Sequence, residues 1–204
     1  MMKLYGTLNS PFVRMSMVTA MECGLAMRVQ LIAAPPKPDE VNETLVALSP
    51  IGKVPILETD HGRTIYDSRV IMEYFCHVAG NKQLLPDEGN KHFHVLTLLA
   101  LAQGLGDASV AYRYEDSARA KELQWAEYKA RQKLRMKACI AELEGRWLND
   151  LAEVTLGSIA AAVVLGYIDF RQLLPDWRKQ HALLSEWHNT FKARESIRNT
   201  EPQA

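Results

Sequence analysis

Over the first eighty residues the apolar positions switch between short runs of alternating character and longer runs spaced by three and four. Lys3-Leu4-Tyr5-Gly6-Thr7-Leu8 reads as a strand, and Asn9-Ser10-Pro11 then marks a turn with proline set for the first helical position. Ser10 is the candidate N-cap of a helix running through Phe12, Val13, Met15, Met17, Val18 and Met21, which glycine should end at Cys23-Gly24. Arg28 to Ile32 predicts a second strand. Ala33 to Pro38 predicts a loop, and Val41 to Leu48 a weak short helix stopped by Ser49-Pro50. A third strand follows Pro55, and Glu58 to Tyr66 forms a hairpin turning near Asp60-His61-Gly62. Val70, Ile71, Tyr74 and Phe75 then carry helical spacing. The order β-α-β-α-β-β-α predicts a small mixed sheet with helices on both faces, its first βαβ unit parallel and right-handed.

From Asn81 to Asn90 the chain turns polar, with Leu85-Pro86-Asp87-Glu88-Gly89 at its centre, and everything beyond carries helical spacing. We therefore expect an α/β domain over 1–80, a linker over 81–90 and an all-helical domain over 91–204. Within the latter, His92 to Tyr114 is apolar on more than one face. Ala118 to Leu148 reads as one long amphipathic helix, and Thr155 as the N-cap of an alanine- and valine-rich core helix, with Val154 and Ile159 placed as a staple. Leu183, Leu184, Trp187 and Phe191 mark the last helix.

Composition narrows the partners. The 204 residues carry 24 basic and 24 acidic side chains, spread without clustering, so no footprint for nucleic acid or an anionic membrane is present. The start Met-Met-Lys-Leu-Tyr-Gly lacks the features of a signal peptide, and the apolar run Ile159 to Ile168 is too short to span a bilayer. Three scattered cysteines, Cys23, Cys76 and Cys139, suit a reducing compartment, so the expected location is the cytoplasm.

The candidate chemistry gathers at two places. Val54-Pro55 opens a strand with a proline, which a cis bond can seat, leaving the Val54 amide and carbonyl to pair with an extended peptide-like ligand. Asp67 and Ser68 put a carboxylate and a hydroxyl at a helix start, where backbone N–H groups lack partners. Ser10 places a second hydroxyl at another helix start, able to donate to an anion that the helix dipole favours. A loop proline and simple helix caps explain the same residues one at a time. Ser10-Pro11-Phe12-Val13 stands where a disulfide-exchange protein would have Cys-x-x-Cys, which disfavours that activity. His92-x-His94 has the wrong offset for one helix face and no third ligand, so no metal is expected. Hydrolase, phosphate-loop and dinucleotide fingerprints are missing.

Together, Ser10-Pro11-Phe12-Val13-Arg14, Pro50-x-Gly52-Lys53-Val54-Pro55, Asp67-Ser68 and Thr155-Leu156-x-x-Ile159-Ala160 resemble the glutathione S-transferase superfamily, most closely its bacterial serine-type members. That resemblance implies a thioredoxin-like N-terminal domain that holds glutathione and an all-α C-terminal domain that supplies most of the electrophile pocket. It implies a detoxifying glutathione transferase, cytoplasmic and homodimeric, with glutathione as cosubstrate. By the same resemblance Ser10 stabilises the thiolate, with Asn9 as a further group in reach of the sulfur. Val54, ahead of Pro55, pairs with the cysteinyl part, and Asp67 and Ser68 hold the γ-glutamyl end. Lys53, with Lys37 as a second candidate, meets the glycyl carboxylate. Phe12, Tyr112 and Tyr114 are pocket candidates.

Two positions depart from the family pattern. Ser158 stands where relatives often have aspartate in the helix cap, and Gln103 where many have an acid that reaches the γ-glutamyl amine across a dimer. The alternatives are an adaptor without catalysis, or a glutathione-dependent isomerase, peroxidase or dehalogenase on the same scaffold.

Overall fold

The computed structural model describes residues 1–203 apart from Pro36 and Lys37. The chain divides into two compact units, Met1–His92 together with the chain from Glu195 onward, and Phe93–Arg194. The sequence had placed the final segment with the helices. It belongs to the first unit because the buried Arg14 reaches it, donating from Nη2 to the Ile197 carbonyl at 3.0 Å and from Nε to Thr200 Oγ1 at 3.4 Å. Burial pulls that guanidinium down to about 10, partly countered by Glu201.

In the first unit, β1 (Met2–Tyr5), β2 (Val29–Ile32), β3 (Ile56–Glu58) and β4 (Thr64–Ile65) form one sheet in the order β2-β1-β3-β4. β1 and β2 are parallel; β3 runs antiparallel to both β1 and β4. β1 stops at Tyr5, short of the expected Leu8, and Gly6 leaves the strand with φ 141° while its N–H still reaches the Ile32 carbonyl. Side chains alternate across the sheet. Met2, Leu4 and Leu57 pack with Val13 and Ala20 of α1 (Pro11–Glu22) and with Ile71 and Phe75 of α3 (Ser68–Ala79), whereas Tyr5 and Ile56 pack with Leu45 of α2 (Glu43–Leu48). The mixed sheet covered on both faces is thus the one the hydrophobic rhythm predicts.

The second unit is helical. It holds most of α4 (Gly89–Ser117), then α5 (Ala126–Gly145), α6 (Leu156–Phe170), α7 (Trp177–Gln180) and α8 (Ala182–Phe191); the four-residue α9 (Glu195–Arg198) belongs to the first unit. α5 begins eight residues later than its spacing suggests. The Glu115 carboxylate accepts from Trp125 N–H at 2.7 Å, and Gln124 Nε2 donates to the Asp116 and Arg119 carbonyls, so side chains satisfy the groups between the two helices. By length and composition α4 is the one helix among the described residues that matches a membrane span, which the sequence reading overlooked. Half of its apolar window is buried inside the protein, and a core helix passes the same test.

α6 is the centre of this unit, buried along most of its length. Its cap forms with serine rather than aspartate at position 158: Thr155 Oγ1 accepts from Ser158 N–H at 3.3 Å and Ser158 Oγ accepts from Thr155 N–H at 2.8 Å. The fully buried His188 ties α8 to α6, accepting at Nδ1 from Arg178 Nη2 (2.7 Å) and donating from Nε2 to the Ala162 carbonyl (3.0 Å). Both ring nitrogens are therefore used by the neutral form, and burial above all lowers the His188 pKa to about 4. Because the folded state resists a proton that the unfolded chain accepts near pH 6.5, this stability is full above that pH and is lost as pH falls toward 4. Urea unfolding should show His188 contributing about 2–3 kcal/mol less at pH 4.5 than at pH 7.5. A His188→Gln variant should lack that part of the pH dependence.

Candidate functional site

Chain direction brings the candidate residues of the first unit to one end of the sheet. β1 runs toward that end and hands over to α1; β3 enters there, since Ile56 pairs with Tyr5; β4 leaves there, since Ile65 pairs with Leu57, one residue from the β3 start. The loop before α1, the Val54-Pro55 entry to β3 and the Tyr66-Asp67 entry to α3 therefore share that end. Gly6 links the first two directly: a side chain there would lie 3.2 Å from Val54 Cβ and 2.4 Å from Val13 Cγ2.

Each residue has a local reason for its place. Ser10 has extended backbone and caps α1, its Oγ accepting from Val13 N–H at 3.5 Å, while Pro11 takes the first helical position. The hydroxyl is half-buried, and among the described residues no acceptor takes its proton. Asn9 is engaged by the chain end, its Oδ1 accepting from Gln203 N–H at 3.1 Å, so its amide NH₂ is the part left for a ligand. The Val54–Pro55 bond is cis. Among the described residues neither the N–H nor the carbonyl of Val54 has a partner, which leaves an unpaired strand edge beside the start of α1. Asp67 is exposed and caps α3, with Oδ1 accepting from Arg69 N–H at 3.0 Å; Ser68 beside it is buried. Lys53 is exposed and has no ion-pair partner among the described residues. Lys37 lies outside the described residues. Two helix starts, an open strand edge and a cation make a site suited to an extended peptide bearing carboxylates.

The remaining candidates are less clustered. Phe12 is half-buried at the second position of α1. In the helical unit Gln103 is buried on α4. Tyr112, under the Lys129 ammonium at 5.4 Å, lines a cavity of about 290 Å³ with Arg113, Asp116, Phe170, Arg171, Gln172 and Leu173. Tyr114 is more exposed and is not among the residues lining it. Sequence reasoning missed Arg113 and Arg171, because nothing in local spacing relates residues on α4 to the far end of α6. Among the described residues no group of three or more His, Cys, Asp or Glu is arranged to hold a metal ion.

A family model described as the glutathione S-transferase N-terminal domain matches residues 9–78. The chain is 36% identical to a glutathione transferase family member from Pseudomonas fluorescens Pf-5, whose crystal structure contains bound glutathione; the match covers all of both chains with a TM-score of 0.97. A further structure of such a protein from this strain, with bound S-(propanoic acid)-glutathione, is 34% identical with a TM-score of 0.88, over 100% of this chain and 98% of that one. An uncharacterized GST-like protein of Escherichia coli K12, YibF, is 29% identical over 98% of both chains. With the site geometry and a relative that is 36% identical over the whole of both chains in agreement, the chain belongs to the glutathione transferase family.

Proposed function

We propose that the protein is a cytoplasmic, homodimeric glutathione transferase that activates the glutathione thiol with Ser10 and delivers it to a small, largely hydrophobic electrophile. The observation that carries this reading is the unpaired Val54 main chain beside the hydroxyl-capped start of α1. Glutathione lies extended along that edge, its cysteinyl N–H and carbonyl completing the hydrogen bonds of Val54. Its γ-glutamyl carboxylate meets the first N–H groups of α3 with Ser68, its amine meets Asp67, and its glycyl carboxylate meets Lys53. The sulfur then faces the Ser10 hydroxyl and the N-terminus of α1. A shift of two pH units in its ionisation needs about 2.7 kcal/mol. One charged hydrogen bond of about 1.5–3 kcal/mol with part of a helix dipole is sufficient. The thiolate attacks the electrophile and no covalent enzyme intermediate is required.

Calorimetric titration with glutathione tests the binding half. Asp67→Ala should weaken binding about tenfold, the lower end of a charged hydrogen bond because the carboxylate is exposed. An unchanged dissociation constant removes Asp67 from the site, and no binding by the unaltered protein removes the reading altogether.

A further inference from the structure

Segment 196–203 runs back along α1, and its hydrogen bonds fall in order from one end of that helix to the other. Ser196 Oγ donates to the carboxylate of Glu22, the last residue of α1, at 2.5 Å. Arg14, in the first turn, donates to the Ile197 carbonyl at 3.0 Å and to Thr200 Oγ1 at 3.4 Å. Gln203 N–H then donates to Asn9 Oδ1 at 3.1 Å, just ahead of the helix. Arg14, Ile197 and Thr200 are all buried, and Thr200 Oγ1 itself donates to the Ser196 carbonyl at 2.8 Å, so the middle of the segment is anchored where it passes α1. Asn9 stands in a turn closed by Ser10 N–H donating to the Thr7 carbonyl at 3.0 Å, one residue from the Ser10 hydroxyl.

We propose that segment 196–203 is a positioning strap whose Gln203 N–H turns the Asn9 amide NH₂ toward the glutathione sulfur, as a second donor beside Ser10. This role rests on the reading of the groove as a glutathione site and adds what holds the second donor in place. An asparagine amide can present either its oxygen or its NH₂ to a ligand, and half a turn about its last bond exchanges them. Beside a thiolate the choice decides the sign of the effect: an N–H stabilises the anion, whereas a carbonyl oxygen repels it. A main-chain N–H can only donate, so the atom that meets Gln203 is the oxygen, and Nδ2 faces the other way. Among the described residues Nδ2 has no acceptor, and Asn9 is half-buried, so this donor is held ready for a ligand. Gln203 acts through its main chain alone. Without that N–H the amide is free to turn, and its contribution to the sulfur averages away.

Proline at position 203 removes the N–H, and alanine there keeps it, so the pair isolates one hydrogen bond at an exposed residue. The test follows thiolate absorbance of bound glutathione across a pH series in the native protein, Gln203→Pro, Gln203→Ala, Asn9→Ala and the double variant Asn9→Ala with Gln203→Pro, with occupancy checked by calorimetry. Gln203→Pro should raise the pH of half-ionisation by about half to one unit, the size of one hydrogen bond, and lower kcat roughly three- to tenfold. Gln203→Ala should titrate with the native protein. In the Asn9→Ala background the proline should add nothing, because the strap acts through Asn9. A general loosening of α1 would instead shift the double variant further. Such a further shift, or coincident titrations of Gln203→Pro and Gln203→Ala, would overturn the strap and leave the glutathione reading standing. Failure of the native protein to bind glutathione would overturn both.

Discussion

Ser10→Ala is expected to cut conjugation of a model aryl halide roughly 10- to 100-fold while changing the glutathione dissociation constant by no more than about threefold. The hydroxyl spends its oxygen on Val13 N–H and keeps its proton for a ligand, so its removal takes a donor from the sulfur and leaves the tripeptide's other contacts in place. A charged hydrogen bond of about 1.5–3 kcal/mol sets the size of the loss. Alanine also removes the helix cap, which costs roughly 1 kcal/mol of stability. Ser10→Gly separates the two effects, because glycine is almost as good a cap but has no hydroxyl. Both variants should turn over equally slowly. Recovery of activity in Ser10→Gly would show that the cap, not the donor, is what matters, and steady-state kinetics on both variants distinguishes these outcomes.

Gly6→Ala is expected to be the most damaging single change at the sheet end, destabilising the protein by roughly 2–4 kcal/mol. Gly6 has φ 141°, where a Cβ is strained, and that Cβ would meet Val13 Cγ2 at 2.4 Å, in a residue with no exposed surface. Relief requires α1 to move away from β1, carrying Ser10 with it, or Val54 to yield from the other side at 3.2 Å. Activity per folded molecule should therefore fall along with stability. Gly62→Ala is the control: φ is 73° in the β3–β4 turn, but no atom lies within 4 Å of the added carbon, so only the backbone cost of about 1 kcal/mol applies. Denaturant unfolding of the two variants side by side measures the difference, and equal costs would show that the Gly6 contact is not tight.

The parts of this molecule that could be read from the sequence are those set by neighbours in the chain. Pro11 after Ser10, Gly24 after Cys23, the glycine at the β3–β4 turn and the Thr155–Ser158 cap each act over four residues or fewer, and the structure has them as local rules require. Alternation in β1 and β3 likewise announced a sheet covered on both faces. What escaped depends on distance. No periodicity relates Arg14 to Ile197, so the return of the chain end to the first unit, and its hold on Asn9, could not be foreseen. The delayed start of α5 comes from Glu115 reaching Trp125, a bond across a turn inside what looked like one uninterrupted amphipathic pattern. The two arginines beside Tyr112 come from separate helices, and their meeting leaves no trace in spacing.

Ionisation of bound glutathione, followed by thiolate absorbance across a pH series in the native protein and in Ser10→Ala, reports most directly on what the start of α1 does to the sulfur. In the native complex the thiol should be half-ionised roughly two pH units below free glutathione, and the variant should lie close to the free tripeptide. Coincident titrations in the two proteins, with glutathione bound in both, would contradict the role of Ser10.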